Sequence, residues 1–415
     1  MSKAGYRFIN GVLFALILLL ILLLSLNMCA GSVSKGGSPQ RVKDKLLPQG
    51  EGVRVEPWVS GLEIPWSLVF LPANKSADKS ANKSGSRALV SERPGRIRLI
   101  RDGRLQPEPY AILDAAHTGE AGLMGLAVHP NFPEKPYIYA MHTYKKAGKL
   151  QNRVVRLRDE GGKGTFDRVI LDNMPGGRFH DGGRIAFGPD GMLYITLGET
   201  GDADLAQDPG SLGGKILRIT PEGEIPSDNP FKGSPVYSLG HRNPQGLAWH
   251  PETKALFSSE HGPSGEFGLF ARDEINVIKK GANYGWPKAV GAAKSNSPAA
   301  FEADTSAFED PLVMWEDTTP PSGMAFYKGQ LLKHLSGDLF VDTLRSEALI
   351  RIKLSLEGDK YRVVAIERWF KDKFGRLRDV VAGPDGALYF LTNNLDGRGE
   401  SRPGDDRIYR MTPKL

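Results

Sequence analysis

The chain has 415 residues, of which 40% are apolar and 25% charged, and its formal net charge is +6. This content suits one large hydrophobic core or two ordinary ones, and the 49 glycines and 29 prolines favour a fold with many turns. The charge is not gathered into a basic stripe, which argues against a nucleic-acid-binding protein; an anionic ligand or a membrane surface stays open.

The first 29 residues form a leader. Lys3 and Arg7 precede an apolar run over residues 12–26, which is about the length of a signal-peptide core and short for a membrane span. The one cysteine of the chain, Cys29, follows this run, so a lipoprotein signal is favoured, with an uncleaved membrane anchor or simple secretion as alternatives. The leader predicts an exported, periplasmic protein that is tethered to the membrane through its N-terminus.

Two polar tracts follow the leader. Residues 30–52 lack periodic apolar positions and are interpreted as a flexible linker. Residues 73–86, "ANKSADKSANKSGS", are of low complexity and are interpreted as a solvated hairpin loop. The remaining sequence, residues 53–415, is predicted to form one domain.

That domain contains a repeat. An alternating apolar strand that ends in a turn and is followed by a second apolar run occurs six times, about sixty residues apart. The turns lie at Pro72, Pro130, Pro189, Pro251, Lys328 and Pro384. Six such units predict an all-β fold, a six-bladed β-propeller of four-stranded antiparallel blades; a pair of β-sandwiches is the alternative.

The repeat also predicts a site. In a propeller, the loop before the first strand of a blade and the end of the second strand lie on the same face, near the axis. His180 precedes the third first strand and Glu199 ends its return strand, so these two residues should be neighbours. Equivalent positions in other blades hold Glu120, Arg242, Asn243, Arg345, Arg376 and Arg378. Arginines from three blades indicate an anionic, planar ligand, although ordinary ion pairs with the glutamates would also explain them.

A calcium site is a further hypothesis. The stretch "EHGPSGE" offers the carbonyls of Gly262 and Pro263, while "DEIN" and "GANYGWP" offer Glu274 and the backbone of Tyr284. Calcium accepts six to eight oxygen ligands, carbonyls included. No EF-hand loop, zinc-type cluster or phosphate-binding glycine loop is present, which argues against nucleotide cofactors.

These residues together resemble one family. The stretches "GEAGLMGLAVHPNF", "HDGGRIAFGPDGMLYITLGE", "YSLGHRNPQGLAWHP", "EHGPSG" and "GRLRDVVAGPDG" are similar, in this order, to those of the soluble pyrroloquinoline quinone (PQQ)-dependent sugar dehydrogenases. This is the glucose/sorbosone dehydrogenase family, and the similarity is greatest to its aldose sugar dehydrogenase branch.

The resemblance implies a PQQ- and calcium-dependent oxidation of aldose sugars at C1 to the lactone. His180 matches the general base that takes the proton of the C1 hydroxyl while hydride passes to the quinone, and Glu199 matches its acidic neighbour. The residues implied to bind the cofactor are Glu120, Arg242, Asn243, Arg345, Arg376 and Arg378. Gly262 and Pro263 match ligands of a catalytic calcium, and Glu274 and Tyr284 match ligands of a second, structural one.

One departure and two alternatives remain. The stretch "GEFGLFAR", residues 265–272, looks longer than the usual link between "EHGP" and "DEIN", which puts the second calcium in doubt. A calcium-dependent propeller lactonase and a non-catalytic propeller that binds glycans or a protein are the competing functions. The expected partners are an aldose substrate and an electron acceptor, either a periplasmic cytochrome or a membrane quinone.

Overall fold

The computed structural model describes residues 30–33, 40–72, 86–291 and 307–414. Within these ranges the chain forms 26 β-strands and three short 3₁₀-helices, Ala203–Ala206, Glu266–Gly268 and Lys333–Leu335. The leader with Cys29 and nearly all of the low-complexity tract lie outside the described residues. In the part of the chain that is described, no helix is long and apolar enough to cross a membrane.

Most of the strands group into six blades, each an antiparallel sheet of four. Blade I holds β4 (Pro65–Leu71), β5 (Arg87–Glu92), β6 (Arg96–Arg101) and β7 (Arg104–Ile112). Blade II holds β8 (Leu123–Val128), β9 (Tyr137–Lys146), β10 (Lys149–Asp159) and β11 (Gly164–Pro175). Blade III holds β12 (Ile185–Phe187), β13 (Leu193–Leu197), β14 (Lys215–Ile219) and β15 (Val236–Leu239).

The other three blades continue the series. Blade IV holds β16 (Pro244–Trp249), β17 (Leu256–Glu260), β18 (Glu274–Ile278) and β19 (Val313–Trp315). Blade V holds β20 (Pro321–Phe326), β21 (Leu339–Thr343), β22 (Leu349–Glu357) and β23 (Lys360–Trp369). Blade VI holds β24 (Leu377–Ala382), β25 (Leu388–Thr392) and β26 (Arg407–Pro413), and β3 (Val53–Ser60) completes it.

The ring closes through β3, which comes from the start of the domain and pairs with the last strand, β26. The first strands of neighbouring blades contact one another around the axis, and between blades III and IV the contact runs from β13 to β16. The six predicted repeats correspond to the six first strands, so the prediction of a six-bladed propeller is confirmed.

The turn residues explain why the hairpins recur. Asp190 accepts a hydrogen bond from the backbone N–H of Met192 (3.1 Å), and Gly191 has a φ of 76°, which favours glycine. The Asp190 carboxylate also accepts hydrogen bonds from the Tyr194 hydroxyl (3.0 Å) and from Arg218 Nε (2.9 Å). Blade VI repeats these contacts with Asp385, Tyr389 and Arg410. The side chains of β13 and β25 are all buried, because other blades pack against both faces of these sheets.

The prediction of a flexible linker over residues 30–52 is wrong for its described parts, residues 30–33 and 40–52. Two strands, β1 (Ala30–Val33) and β2 (Gln40–Leu47), connect the outer edges of blades IV and V. Strand β2 pairs in parallel with β23, and the buried Asp44 accepts hydrogen bonds from Arg368 Nε (2.5 Å) and Trp315 Nε1 (3.1 Å). Polar contacts hold this strand in place. Its sequence therefore does not show the alternation of apolar residues from which strands are predicted.

Candidate active site

His180 lies in the loop between β11 and β12, on the face where the predicted residues converge. Its backbone has a φ of 58°, in the left-handed region that is unfavourable for a residue with a Cβ. The loop packs tightly on the segment after β13: Thr200 N–H donates to the His180 carbonyl (3.2 Å), and a Cβ on Gly198 would lie 2.0 Å from that oxygen. Only glycine at position 198 permits this approach. The approach places His180 beside Glu199, which is the residue after Gly198.

The imidazole of His180 is held at both nitrogens. Its Nδ1 lies 2.9 and 3.0 Å from the two carboxylate oxygens of the buried Glu199, which also accepts from Gly201 N–H (2.8 Å). Its Nε2 lies 3.0 Å from Arg242 Nη2. An arginine has donors only, so Nε2 must accept, and the hydrogen-bond network assigns the proton to Nδ1. His180 is therefore a neutral imidazole with its lone pair on Nε2, the form that can act as a base.

Glu120 joins this group from the loop before β8. Its carboxylate accepts from the backbone N–H of His180 (3.2 Å) and from Arg398 Nη1 (2.6 Å). Burial opposes the charged form of Glu120, but the contacts with Arg398 outweigh it and lower the pKa of Glu120 to about 2. Glu120 is thus a fixed negative charge that anchors the His180 backbone.

Arg242 and Asn243 tie blade IV to the same loop. Arg242 is almost fully buried; its Nη2 also pairs with Glu266, and its guanidinium lies 5.4 Å from the centre of the Trp286 ring. Asn243 accepts a hydrogen bond from Gly182 N–H (3.1 Å), two residues after the base. In this structure Asn243 positions the His180 loop.

The arginines of blade VI are buried and tied to neighbours. Arg376 forms an ion pair with Asp396 (2.8 Å). Arg378 donates to Gln245 Oε1 (2.7 Å) and to Asn393 Oδ1 (3.1 and 3.3 Å), and burial lowers its pKa to about 9. Arg345 differs, because its side chain is exposed and no ion pair joins it to another residue in the described ranges. The structure therefore brings His180, Glu199, Glu120, Arg242 and Asn243 into one bonded network, and it gives no such link to Arg345.

The residues present fit an anionic ligand. Arg242 Nε, Arg93 Nε and His261 Nε2 are buried, and each lacks a hydrogen-bond partner among the residues that the structure describes. Burial lowers the pKa of His261 to about 3, so this imidazole is neutral near pH 7. Unused buried donors beside several guanidinium groups are suited to carboxylate and quinone oxygens.

The four predicted calcium ligands surround one small cavity. Gly262, Pro263, Glu274 and Tyr284 all line it, together with Glu260, Arg242 and Arg272, and its volume is about 20 Å³. Burial and the neighbouring Glu260 raise the pKa of Glu274 to about 8, so the two carboxylates resist being charged together. No group of three or more histidine, cysteine or acidic side chains suited to a metal occurs in the described ranges. Carbonyls with one or two carboxylates suit calcium better than a transition metal.

The sequence patterns missed three residues of the site: Glu266, Trp286 and Arg398. Glu266 lies in the stretch 265–272, whose unusual length was the one available signal. Trp286 and Arg398 lie in loops outside the predicted convergent positions, and their contacts depend on how those loops fold back.

Comparison with known proteins identifies the family of this chain. The sequence profile of the Glucose / Sorbosone dehydrogenase family matches residues 62–407. The chain belongs to the glucose/sorbosone dehydrogenase family. It is accordingly an oxidoreductase that acts on the CH–OH group of a sugar, and the predictions of the family and of an enzyme are confirmed.

Three relatives place the dehydrogenase within the family. It is 35% identical to the aldose sugar dehydrogenase of Escherichia coli K12, over 83% of this chain and 91% of that protein. It is 31% identical to quinoprotein glucose dehydrogenase B of Acinetobacter calcoaceticus, over 81% of this chain and 84% of that protein. The PQQ-bound aldose sugar dehydrogenase of Streptomyces coelicolor has a similar structure, with a TM-score of 0.70, 37% identity and coverage of 88% of this chain and all of that one.

Proposed function

We propose that this dehydrogenase uses PQQ and calcium to oxidise aldose sugars at C1 to the lactone. The observation that carries the proposal is the position of the His180 imidazole, with Nδ1 on the Glu199 carboxylate and Nε2 on Arg242. The PQQ-bound Streptomyces relative and the quinoprotein from Acinetobacter support the choice of cofactor.

His180 acts as the general base. Its Nε2, once Arg242 Nη2 no longer donates to it, takes the proton of the C1 hydroxyl, and Glu199, which accepts from Nδ1–H, stabilises the imidazolium that results. The C1–H bond breaks with its electron pair, and C1 becomes the lactone carbonyl. When bound, PQQ supplies the acceptor for this hydride and calcium supplies positive charge beside it.

The arginines of the site bind and orient the cofactor. Arg242, Arg376 and Arg378 are buried donors around the mouth of the ring, and their charge favours the carboxylates of PQQ. Glu120 and Asn243 act on the base itself, since both hold the backbone of the His180 loop. Arg345 is proposed to contact the cofactor from the exposed rim.

Calcium is proposed to bind at the cavity lined by Gly262, Pro263, Glu274 and Tyr284. The two carbonyl-bearing residues come from the turn after β17, and Glu274 begins β18, so the cavity is built by neighbouring strands of blade IV. A divalent cation there would offset the repulsion between Glu274 and Glu260.

The proposal also covers the location of the protein and the path of the electrons. We propose that the protein is exported to the periplasm, is held at the membrane through its N-terminus, and passes electrons from sugar to a cytochrome or a membrane quinone.

Reconstitution of the purified apoprotein tests the function. PQQ and calcium are added, and dye reduction is measured with a panel of aldoses, alongside hydrolysis of a lactone. We expect dye reduction that requires PQQ and an aldose. Lactone hydrolysis without dye reduction would favour a lactonase, and absence of both activities and of PQQ binding would favour a non-catalytic propeller.

A further inference from the structure

The segment of residues 264–272 lies against the site and has no part in the proposed chemistry. It begins directly after Pro263 and contains the 3₁₀-helix Glu266–Gly268. Its backbone hydrogen bonds over residues 264–270 are internal: Gly265 N–H donates to Leu269 O (2.9 Å), and Ser264 bridges Phe270. Arg272 N–H donates to Trp315 O of β19 (2.9 Å) and fixes the end of the segment, whereas residues 264–270 can move without breaking backbone hydrogen bonds in the blades.

Polar and aromatic side chains connect this segment to the site. The Glu266 carboxylate pairs with Arg242 Nη2 and also accepts from Ser264 N–H (2.6 Å). Phe267 lies 6.0 Å from the centre of the Trp286 ring, which Arg242 also contacts. Glu266 thus pairs with the guanidinium of Arg242, and Phe267 packs on the aromatic ring beside it.

The charge of Arg242 is already balanced by Glu266. Nη2 carries two N–H groups, and it contacts two acceptors, His180 Nε2 and Glu266 Oε1. Arg242 Nε–H has no partner among the described residues, but Glu266 already balances the charge of the guanidinium, so an anion that binds Arg242 competes with Glu266 for that charge. Desolvation favours this exchange only if the incoming group is also negative, because Arg242 is buried and needs a counter-charge.

The backbone conformation and the exposed side chains of this segment also indicate that its contact with Arg242 holds it in place. Phe267 has a φ of 56°, and both Phe267 and Phe270 have exposed side chains, with 43% and 65% of their surface accessible. A non-glycine residue in the left-handed region and exposed aromatic rings are unfavourable features that the contact with Arg242 helps to maintain.

We propose that residues 264–272 are a strap in which Glu266 occupies Arg242 and is displaced by the anionic groups of PQQ. The inference rests on the proposed function, since it takes PQQ as the ligand. Loading of the cofactor then competes with an internal carboxylate, and the strap makes the site selective for ligands that carry negative charge.

The variant Glu266→Gln tests the strap. PQQ is titrated into the full-length apoprotein with calcium present, and the dissociation constant is measured from quenching of protein fluorescence. We expect PQQ to bind about tenfold more tightly to Glu266→Gln than to the wild type, because one charged competitor is removed. Glu266→Asp, which keeps the charge, should bind like the wild type. Glu357→Gln, a loss of the same charge on the exposed outer edge of blade V, should also bind like the wild type.

A second measurement follows the strap directly. Hydrogen exchange of residues 264–272 should become faster when PQQ is added to the wild type. Equal or weaker PQQ binding by Glu266→Gln, or slower exchange of the strap on loading, would overturn the proposal while leaving the proposed function intact. Failure of the wild type to bind PQQ would overturn both.

Discussion

Two histidines near the mouth of the ring each accept a hydrogen bond from an arginine, and they differ at the other nitrogen. His180 Nε2 faces Arg242 Nη2, and its Nδ1 faces the Glu199 carboxylate. His142, which lies on β9, accepts from Arg153 Nε at the same distance of 3.0 Å, but its Nδ1 lies 3.3 Å from the backbone carbonyl of Thr143.

This difference separates a base from a structural residue. Burial and the charge of Arg153 lower the pKa of His142 to about 4, and its one acceptor is uncharged. His180 instead has the Glu199 carboxylate on Nδ1, a negative charge that can stabilise a proton taken up during the reaction. We infer that a histidine beside an arginine takes up a proton during turnover only where a carboxylate supports it.

The largest expected effect comes from His180→Ala. Loss of the general base should lower kcat by about 10²- to 10⁴-fold, since that is what proton transfer to a positioned base typically contributes. PQQ binding should persist, because the arginines of the mouth remain. Steady-state dye reduction and a PQQ titration check both points, and His142→Ala, with kcat near that of the wild type, is the matched control. An unchanged rate for His180→Ala would refute its role as base.

Glu199→Gln should have an intermediate effect. The glutamine keeps an acceptor for Nδ1–H but loses the charge that stabilises the imidazolium, so kcat should fall by about 10- to 100-fold. Measurement of kcat against pH tests the cause. The basic group that governs the rate should titrate at lower pH in the variant than in the wild type. A fall in kcat without this displacement would mean that Glu199 only maintains the loop.

The smallest expected effect, from His142→Gln, is on stability. The pKa of His142 is lowered to about 4 in the folded protein and is near 6.5 when the chain unfolds, so the unfolded state binds the proton first as the pH falls. His142 thus contributes stability that is complete above about pH 6.5 and is lost as the pH falls towards 4.

Urea unfolding at pH 7 and pH 4.5 measures this contribution. Between these pH values the wild type should lose more unfolding free energy than His142→Gln, by on the order of 2 kcal/mol. The exposed His334→Gln should lose as much as the wild type. Equal losses in all three proteins would show that His142 is protonated in the folded state.

The pairing of His180 with Glu199 could be predicted from sequence because it follows from the repeat. One residue precedes the first strand of blade III and the other follows its return strand, so the hairpin itself brings them together. The linker prediction failed for the opposite reason. Strand β2 is stabilised by the contact of Asp44 with Arg368, more than 300 positions away, and a local pattern carries no information about such a partner.

The sequence by itself determined the ring, the number of blades and the face on which the site lies, because strand periodicity and turn residues are local properties that repeat. The tertiary structure decided how the charged groups are used. Arg242 is shared between His180 and Glu266, Arg376 is paired with Asp396, and Arg345 stays exposed. These three arginines look equivalent in the sequence, and they differ because the strength of a charge contact depends on burial and on partners that only folded loops bring within reach.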